Sequence, residues 1–248
     1  CGPCGLFAAL ILAQSGFKPI VLERGKNVRE RTQDTFGFWR ERRLDPESNV
    51  QFGEGGAGTF SDGKLHTQIR DPKHYGRKVL SEFVKAGAPE EILYIGKPHI
   101  GTFRLVRIIE QMRKDIIALG GEFRFMSRVD DLLIENGQTK GVVLSNGETI
   151  FSDHIVLAPG HSARDTFEML QKQGAEMEQK PFSIGVRIQH LQETIDKAQY
   201  GNPKLAKILG PAEYKLHHKC ANGRGVYTFC MCPGGEIIDS SAEPETAV

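Results

Sequence analysis

Residues 1–26 read CGPCGLFAALILAQSGFKPIVLERGK, and this stretch decides the predicted fold class. Apolar side chains repeat at helical spacing at Leu6, Ala9, Leu10 and Ala13. Gly16 follows where helices commonly end, and residues 19–22 have the composition of a buried strand. Because a helix that leads directly into a buried apolar strand is typical of parallel sheets, we predict an α/β fold.

The glycine turn at the start of this helix has the spacing of a dinucleotide-binding fingerprint. In the pattern G-x-G-x-x-G the glycines allow a tight turn, close approach of a pyrophosphate and close helix–strand packing. Gly2 and Gly5 fit the second and third glycines, with Pro3 and Cys4 between them. Backbone N–H groups at the helix N-terminus would face the pyrophosphate. The first glycine and its strand would precede Cys1, so we expect the chain to be a piece of a longer protein.

Glu23 supplies the acidic partner that the fingerprint requires. It ends the second strand at about the 20-residue spacing of the pattern, where a carboxylate accepts hydrogen bonds from ribose hydroxyls. A purely structural glycine turn is the alternative. Because the helix, the strand and the acid follow in the expected order, the sequence favours a dinucleotide site.

A second glycine-rich stretch, GEGGAGTFSDGKL, covers residues 53–65 and contains too much glycine for a helix or a strand. Glycines let the backbone approach a ligand closely, and hydroxyl groups can bond phosphate or ribitol oxygens. A flexible surface loop is the alternative. We predict cofactor contacts in this stretch from Gly55, Gly56, Gly58, Thr59, Ser61 and Asp62.

The rest of the chain adds helices and a strand meander. An apolar stripe predicts a helix over residues 104–119, and we also predict a short helix over residues 78–86 and a solvated helix over residues 165–180. Strands are predicted over 122–126, 129–135, 140–144 and 148–151, and Asn-Gly pairs at 136–137 and 146–147 indicate antiparallel hairpins. The apolar run HIVLA at 154–158 predicts a central parallel strand, and FSIGVRIQ at 182–189 predicts another strand.

Composition limits the class of protein and its partners. The 248 residues are 39% hydrophobic and 25% charged, as in soluble globular proteins, and the formal charge is +1. The near-neutral charge predicts neither a nucleic-acid nor a membrane partner, and no apolar run reaches the roughly 20 residues of a membrane span. Five cysteines near the two ends do not suggest a disulfide framework, so we expect a reducing cytoplasm.

The motifs together resemble the two-dinucleotide-binding-domain flavoprotein superfamily. The resemblance rests on the fingerprint, the LERG stretch at residues 22–25 and the turn LAPG at residues 157–160, where proline replaces the threonine of the family's ATG turn. More specifically, GEGGAGTFSDGKL and FCMCPGG resemble a bacterial-type group of FAD-dependent dehydrogenases of unknown substrate. The family's late Gly-Asp motif and final helix do not occur in the chain, so both ends look cut.

The resemblance implies a fold and a set of FAD contacts. A Rossmann-like FAD-binding domain is expected over residues 1–164, with an inserted meander and an insertion at 71–103, followed by part of a mixed α+β substrate-side domain over 165–248. The backbone of Val129 would touch the adenine, and the fingerprint with Glu23 would bind the ADP half. The other contacts implied by this pattern are Arg24, Ala158, Pro159 and Gly160.

Flavin-dependent oxidoreduction is the function that this resemblance implies, with FAD as cofactor and NAD(P)H as a candidate electron donor. The catalytic residues, the small-molecule substrate and the oligomeric state stay open. Lys64, Cys230 and Cys232 are catalytic candidates. The Cys1-x-x-Cys4 spacing is that of a redox or zinc-ligand pair, but Cys4 occupies a position in the glycine turn where any small residue fits, which favours a small-residue role. Two alternatives remain, namely a non-catalytic flavin- or nucleotide-binding module and a tRNA-modifying flavoprotein.

Overall fold

The computed structural model describes residues 1–61, 63–65, 67, 70–229 and 231–244, with the backbone alone at Thr102. The chain divides into two compact units. The first comprises Cys1–Glu178 and the segment that begins at Asp239, and the second comprises Gln179–Ile238. The predicted functional boundary after residue 164 stays a prediction, and it lies within the first unit, at the start of a helix.

The first unit contains five helices and five strands in its described residues. The helices are α1 (Pro3–Gln14), α2 (Val28–Glu41), α3 (Tyr75–Lys85), α4 (Thr102–Ala118) and α5 (Arg164–Lys172). The strands are β1 (Ile20–Leu22), β2 (Glu122–Arg124), β3 (Val129–Glu135), β4 (Gln138–Leu144) and β5 (Thr149–Phe151). Short 3₁₀ turns occupy Ala57–Phe60 and Glu90–Leu93.

The second unit is small and loop-rich in its described part. Its helices are α6 (Gln192–Tyr200) and α7 (Ala206–Leu209), which a 3₁₀ turn at Pro203–Leu205 precedes. Its strands β6 (His217–Lys219) and β7 (Gly225–Tyr227) form an exposed antiparallel hairpin.

A parallel strand pair and two helices form the centre of the first unit. β1 and β2 are parallel, with Val21 opposite Phe123. The apolar stripe predicted on α1 is buried, and it packs in one cluster with Leu105, Ile108, Met112 and Ile116 of α4. The α/β class is therefore confirmed at the level of a mixed fold with parallel and antiparallel sheets. None of the described helices combines the length and the apolar composition that crossing a bilayer requires.

The antiparallel meander is confirmed. β4 pairs with β3 on one side and with β5 on the other, both antiparallel. Asn136 and Gly137 have φ angles of 53° and 74°, and positive φ at both central positions is what a type I′ hairpin turn requires. The Asn-Gly pair therefore fixes the β3–β4 register, as its sequence predicts.

Two predicted strands are wrong. Residues 154–158 pair with no described strand, and Val156 and Leu157 are 61% and 42% exposed. Residues 182–189 are likewise irregular, with Phe182, Ile184 and Val186 at least 85% exposed. An apolar run becomes a strand only where a neighbouring strand takes its hydrogen bonds and another layer covers its face. The described residues offer these two runs neither.

The segment from residue 239 to 244 belongs to the first unit and packs beside α2. The indole Nε1 of Trp39 donates to Asp239 O at 2.8 Å, and Gln51 Nε2 donates to Ser240 O at 3.1 Å. Ala242 is buried in a cluster with Phe52 and Ala163. The Trp39 ring also meets Phe60 edge to face, with ring centroids 6.2 Å apart.

Adjacent isoleucines of α4 test this packing. Ile116 is fully buried, whereas Ile117 is 49% exposed. We expect Ile116→Ala to lower the free energy of unfolding by about 2–5 kcal/mol, because it leaves a cavity in the core. Ile117→Ala, the matched control, should lower it by about 0.5 kcal/mol or less. Urea denaturation measures both, and equal losses would contradict the described orientation of α4.

Candidate functional site

The first turn of α1 is suited to an anion. Gly2 is the N-cap residue, Pro3 opens the helix, and no described side chain caps the helix. The first N–H groups of a helix have no intrahelical partner and carry a partial positive charge. The first turn contains no acidic residue, so the helix itself places no negative charge against a phosphate group at these N–H groups.

The second glycine stretch lies directly against this turn. A Cβ atom at Gly56 would lie only 2.7 Å from the Cα of Gly2, and the N–H of Gly55 donates to Cys1 O at 2.9 Å. Across the turn, a Cβ at Gly5 would lie 3.7 Å from the Cβ of Ala158. Three motifs that are far apart in sequence therefore meet at the N-terminus of α1.

Glu23 joins these segments from the end of β1. Its carboxylate is buried, and its Oε1 accepts from the N–H groups of Gly25 at 2.8 Å and Gly53 at 3.1 Å. Its Oε2 contacts the backbone nitrogen of Cys1. Burial raises the pKa of this carboxyl above the ordinary value of glutamate. The predicted ribose acceptor thus also holds the glycine stretch in place.

The predicted adenine contact lies close to the end of β1. The N–H of Ser127 donates to Glu23 O at 2.9 Å, and the N–H of Met126 donates to Gly25 O at 3.0 Å. Val129, which begins β3, lies two residues after Ser127. Its role as a backbone contact to adenine stays a prediction.

Arg31 is one of the residues at this site that the sequence analysis missed. It lies on α2, and its side chain is fully buried. We call residues 49–59 the glycine shelf, because hydrogen bonds from the guanidinium of Arg31 support this glycine-rich segment. It donates hydrogen bonds to Asn49 O at 2.8 Å, Val50 O at 2.7 Å, Gly53 O at 3.3 Å, Glu54 O at 2.8 Å and Thr59 Oγ1 at 3.1 Å.

Burial lowers the pKa of the Arg31 guanidinium to about 10, so it remains positively charged at neutral pH. Its sequence context contained a signal for this burial. Val28, Arg31, Thr35 and Phe38 recur at helical spacing, and all four are buried. An arginine within a helical stripe of otherwise uncharged residues faces the interior, even inside a segment that is polar overall.

Glu54 ties the glycine shelf to both α2 and α4. It is fully buried, and its Oε2 accepts from the N–H of Val28 at 2.8 Å, at the start of α2. Its Oε1 lies 3.4 Å from Nε of Arg113 on α4. Burial raises the pKa of this carboxyl, which the neighbouring arginine partly offsets. The shelf is therefore attached at its middle to two helices.

The predicted hydroxyl contacts are engaged within the loop itself. Thr59 Oγ1 donates to Gly56 O at 3.0 Å, and Ser61 Oγ donates to Gly58 O at 2.7 Å. At Gly58, by contrast, an added Cβ would meet no described atom within 4 Å. Asp62 lies outside the described residues. Close approach of a ligand is thus sterically open at Gly58.

Arg24 lies in an ion-pair network between the end of β1 and α5. Its guanidinium is 4.1 Å from the ring centroid of Phe52 and pairs with Glu47 and Asp165, each at 3.0 Å. Glu47 also pairs with Arg128 at 2.7 Å, just before β3. Arg24 therefore joins chain segments around the site, and its predicted cofactor contact stays a prediction.

The turn predicted to pass near the cofactor precedes α5. Ala158 and Pro159 are half-buried, and Gly160 has a φ of 77°, a conformation that favours glycine. Ser162 Oγ then donates to Gln51 Oε1 at 3.1 Å. The turn is thus connected to the glycine shelf although it does not follow a strand.

The other candidate residues form no catalytic constellation in the described structure. Cys4 is exposed at the start of α1, and Cys232 is exposed in the tight Cys-Pro-Gly-Gly turn of the second unit. Lys64 is half-buried and bridges His99 through the backbone. Cys230 lies outside the described residues. Among the residues that the structure describes, no group of His, Cys, Asp and Glu could hold a metal ion.

Comparison with known proteins gives two findings. Residues 181–248 match the family model described as FAD-dependent protein, C-terminal domain-like. Over 243 residues the chain is 49% identical to an uncharacterized protein of Clostridium beijerinckii, and the alignment covers 98% of the chain and 45% of that protein. The chain thus spans less than half the length of this relative. The family model matches residues 181–248, which is less than a third of the chain.

Proposed function

We propose that the first unit binds FAD between the first turn of α1 and the glycine shelf, and that the protein is a flavin-dependent oxidoreductase. The convergence of Gly2, Gly56 and Glu23 carries this proposal. Three glycine-lined or acidic segments meet where a helix N-terminus can accept a phosphate. The family match at residues 181–248 supports FAD as the dinucleotide.

The residues present fit such a cofactor. The N–H groups of the first turn of α1 would hold the pyrophosphate, and the bare backbone at Gly58 leaves room for close approach. An ionised carboxylate has about four acceptor sites. Oε2 of Glu23, which contacts the backbone nitrogen of Cys1, can therefore accept a ribose hydroxyl at a further acceptor site while Oε1 keeps its two backbone hydrogen bonds.

When bound, FAD would supply the electron-transfer chemistry of the reaction. The chain's own task at this site is to bind and orient the cofactor and to keep water from it. We propose a small molecule as the substrate and NADH or NADPH as the electron donor. No described side chain of this site is assigned a proton-transfer role.

Glu23→Gln tests the ribose contact. The amide keeps one oxygen for the N–H groups of Gly25 and Gly53 but loses the charge-assisted bond to a hydroxyl, which is worth roughly 1.5–3 kcal/mol. We expect the FAD dissociation constant to rise about tenfold or more, as measured by fluorescence titration of the apoprotein. Glu30→Gln, an exposed change on α2, is the control. An unchanged dissociation constant for Glu23→Gln would exclude the ribose role.

Gly58→Val tests the approach of a ligand to the shelf. Because an added side chain has space at Gly58 and at the remote Gly96, both variants should keep the thermal midpoint of the apoprotein. FAD affinity should fall about tenfold or more for Gly58→Val only, since the side chain would occupy cofactor space. Equal affinities for Gly58→Val and Gly96→Val would show that FAD does not pass over this glycine.

Stopped-flow reduction separates an oxidoreductase from a binding module. FAD-loaded protein, expressed from the complete reading frame, is mixed anaerobically with NADH or NADPH, and flavin absorption is followed. We expect the flavin absorption to bleach at a rate constant typical of catalysis, on the order of 1–1000 s⁻¹. Stable FAD binding without reduction by either donor would contradict the proposed NAD(P)H-dependent reaction and favour a non-catalytic module.

A further inference from the structure

We infer that Arg31 is a positioning residue for the cofactor site. Its side chain holds the glycine shelf in its binding conformation before the cofactor arrives. The inference rests on the proposed function and adds to it the residue that preorganises the site. Arg31 acts through the shelf backbone, because its side chain is fully buried beneath residues 49–59.

The glycine shelf has little intrinsic order. Gly53, Gly55 and Gly56 have φ angles of 119°, 92° and 70°, a region of backbone conformation that residues other than glycine rarely adopt. Glycine loses more conformational freedom on folding than any other residue. A chain segment with three such positions within four residues samples many conformations unless something outside it fixes the backbone.

Arg31 provides that fixation in a form that lysine cannot. A guanidinium presents five N–H donors in a rigid planar fork, whereas an ammonium presents three donors on a flexible stem. The five acceptors are spread from Asn49 to Thr59, so one side chain binds both ends of the shelf. The aliphatic stem of Arg31 also packs against Gly53, where an added Cβ would lie 3.0 Å from Cγ of Arg31.

The support continues from Arg31 to the first turn of α1. Nη1 of Arg31 donates to Thr59 Oγ1, which donates in turn to Gly56 O at 3.0 Å. Gly56 is the residue that lies against Gly2. The position of the shelf relative to the helix N-terminus therefore depends on the guanidinium. A preformed site avoids the ordering cost at binding, so loss of the fork should weaken cofactor binding.

Chemical rescue tests this role. The protein from the complete reading frame is compared with Arg31→Ala, and the FAD dissociation constant is titrated with and without millimolar methylguanidinium or methylammonium. We expect Arg31→Ala to bind FAD at least about tenfold more weakly. Methylguanidinium, which restores the fork, should recover most of the affinity, and methylammonium should not. Arg29→Ala, an exposed change on the same helix, is the control.

Thr59→Val keeps the test decisive if Arg31→Ala does not fold. It removes only the hydroxyl between Arg31 and Gly56, while Nη1 of Arg31 keeps its hydrogen bond to Glu54 O. The variant should therefore fold with a moderately lowered thermal midpoint of the apoprotein, and FAD affinity should fall several-fold. Parental affinity in both variants would overturn the positioning role, as would equal rescue by methylammonium. If the parent protein binds no FAD, the proposed function fails, and the inference fails with it.

Discussion

The burial of one guanidinium beneath a glycine-rich backbone is the interaction on which the rest of the first unit depends. Moving a charge out of water is costly unless hydrogen bonds replace its hydration. Arg31 meets this condition with five acceptors, and the buried carboxylates of Glu23 and Glu54 favour its charged form. The desolvation cost of the guanidinium and the hydrogen bonds that offset it are coupled, because the acceptors are in place only when the shelf is folded.

The surrounding elements give this interaction a fixed frame. The apolar contact between α1 and α4 places the N-terminus of α1, and the β1–β2 pair places Glu23 at the strand end. Glu54 then joins the shelf to α2 and α4, and Arg24 with Glu47 joins β1 to the start of the meander. The candidate site is therefore built from separate segments that apolar packing, strand pairing and buried or paired charges hold in place.

Much of the fold was accessible from sequence because its signals are local. The apolar spacing of α1 and α4 and the Asn136–Gly137 turn reflect helical period and backbone conformation, which neighbouring residues determine. The run at 154–158 misled because its composition fits a buried strand, whereas strand formation depends on partners elsewhere in the chain.

Side-chain roles at the site were harder to predict for a related reason. The hydroxyls of Thr59 and Ser61 bond carbonyl oxygens three residues earlier, a local arrangement that competes with ligand contacts. Arg31 stands in a polar segment and reads as solvated until the helical register with Val28 and Phe38 is considered. Its acceptors come from a segment about 20 residues away, which no local pattern specifies.

Trp39 gives this architecture a spectroscopic consequence. It is the single tryptophan of the chain. It contacts both Phe60, at the end of the 3₁₀ turn Ala57–Phe60, and the carbonyl of Asp239. Fluorescence excited selectively at the red edge of the indole absorption band therefore arises from this one position, between the glycine shelf and the segment from residue 239. A change in its wavelength or quenching reports on the order of the shelf and of the returning segment, without any introduced label.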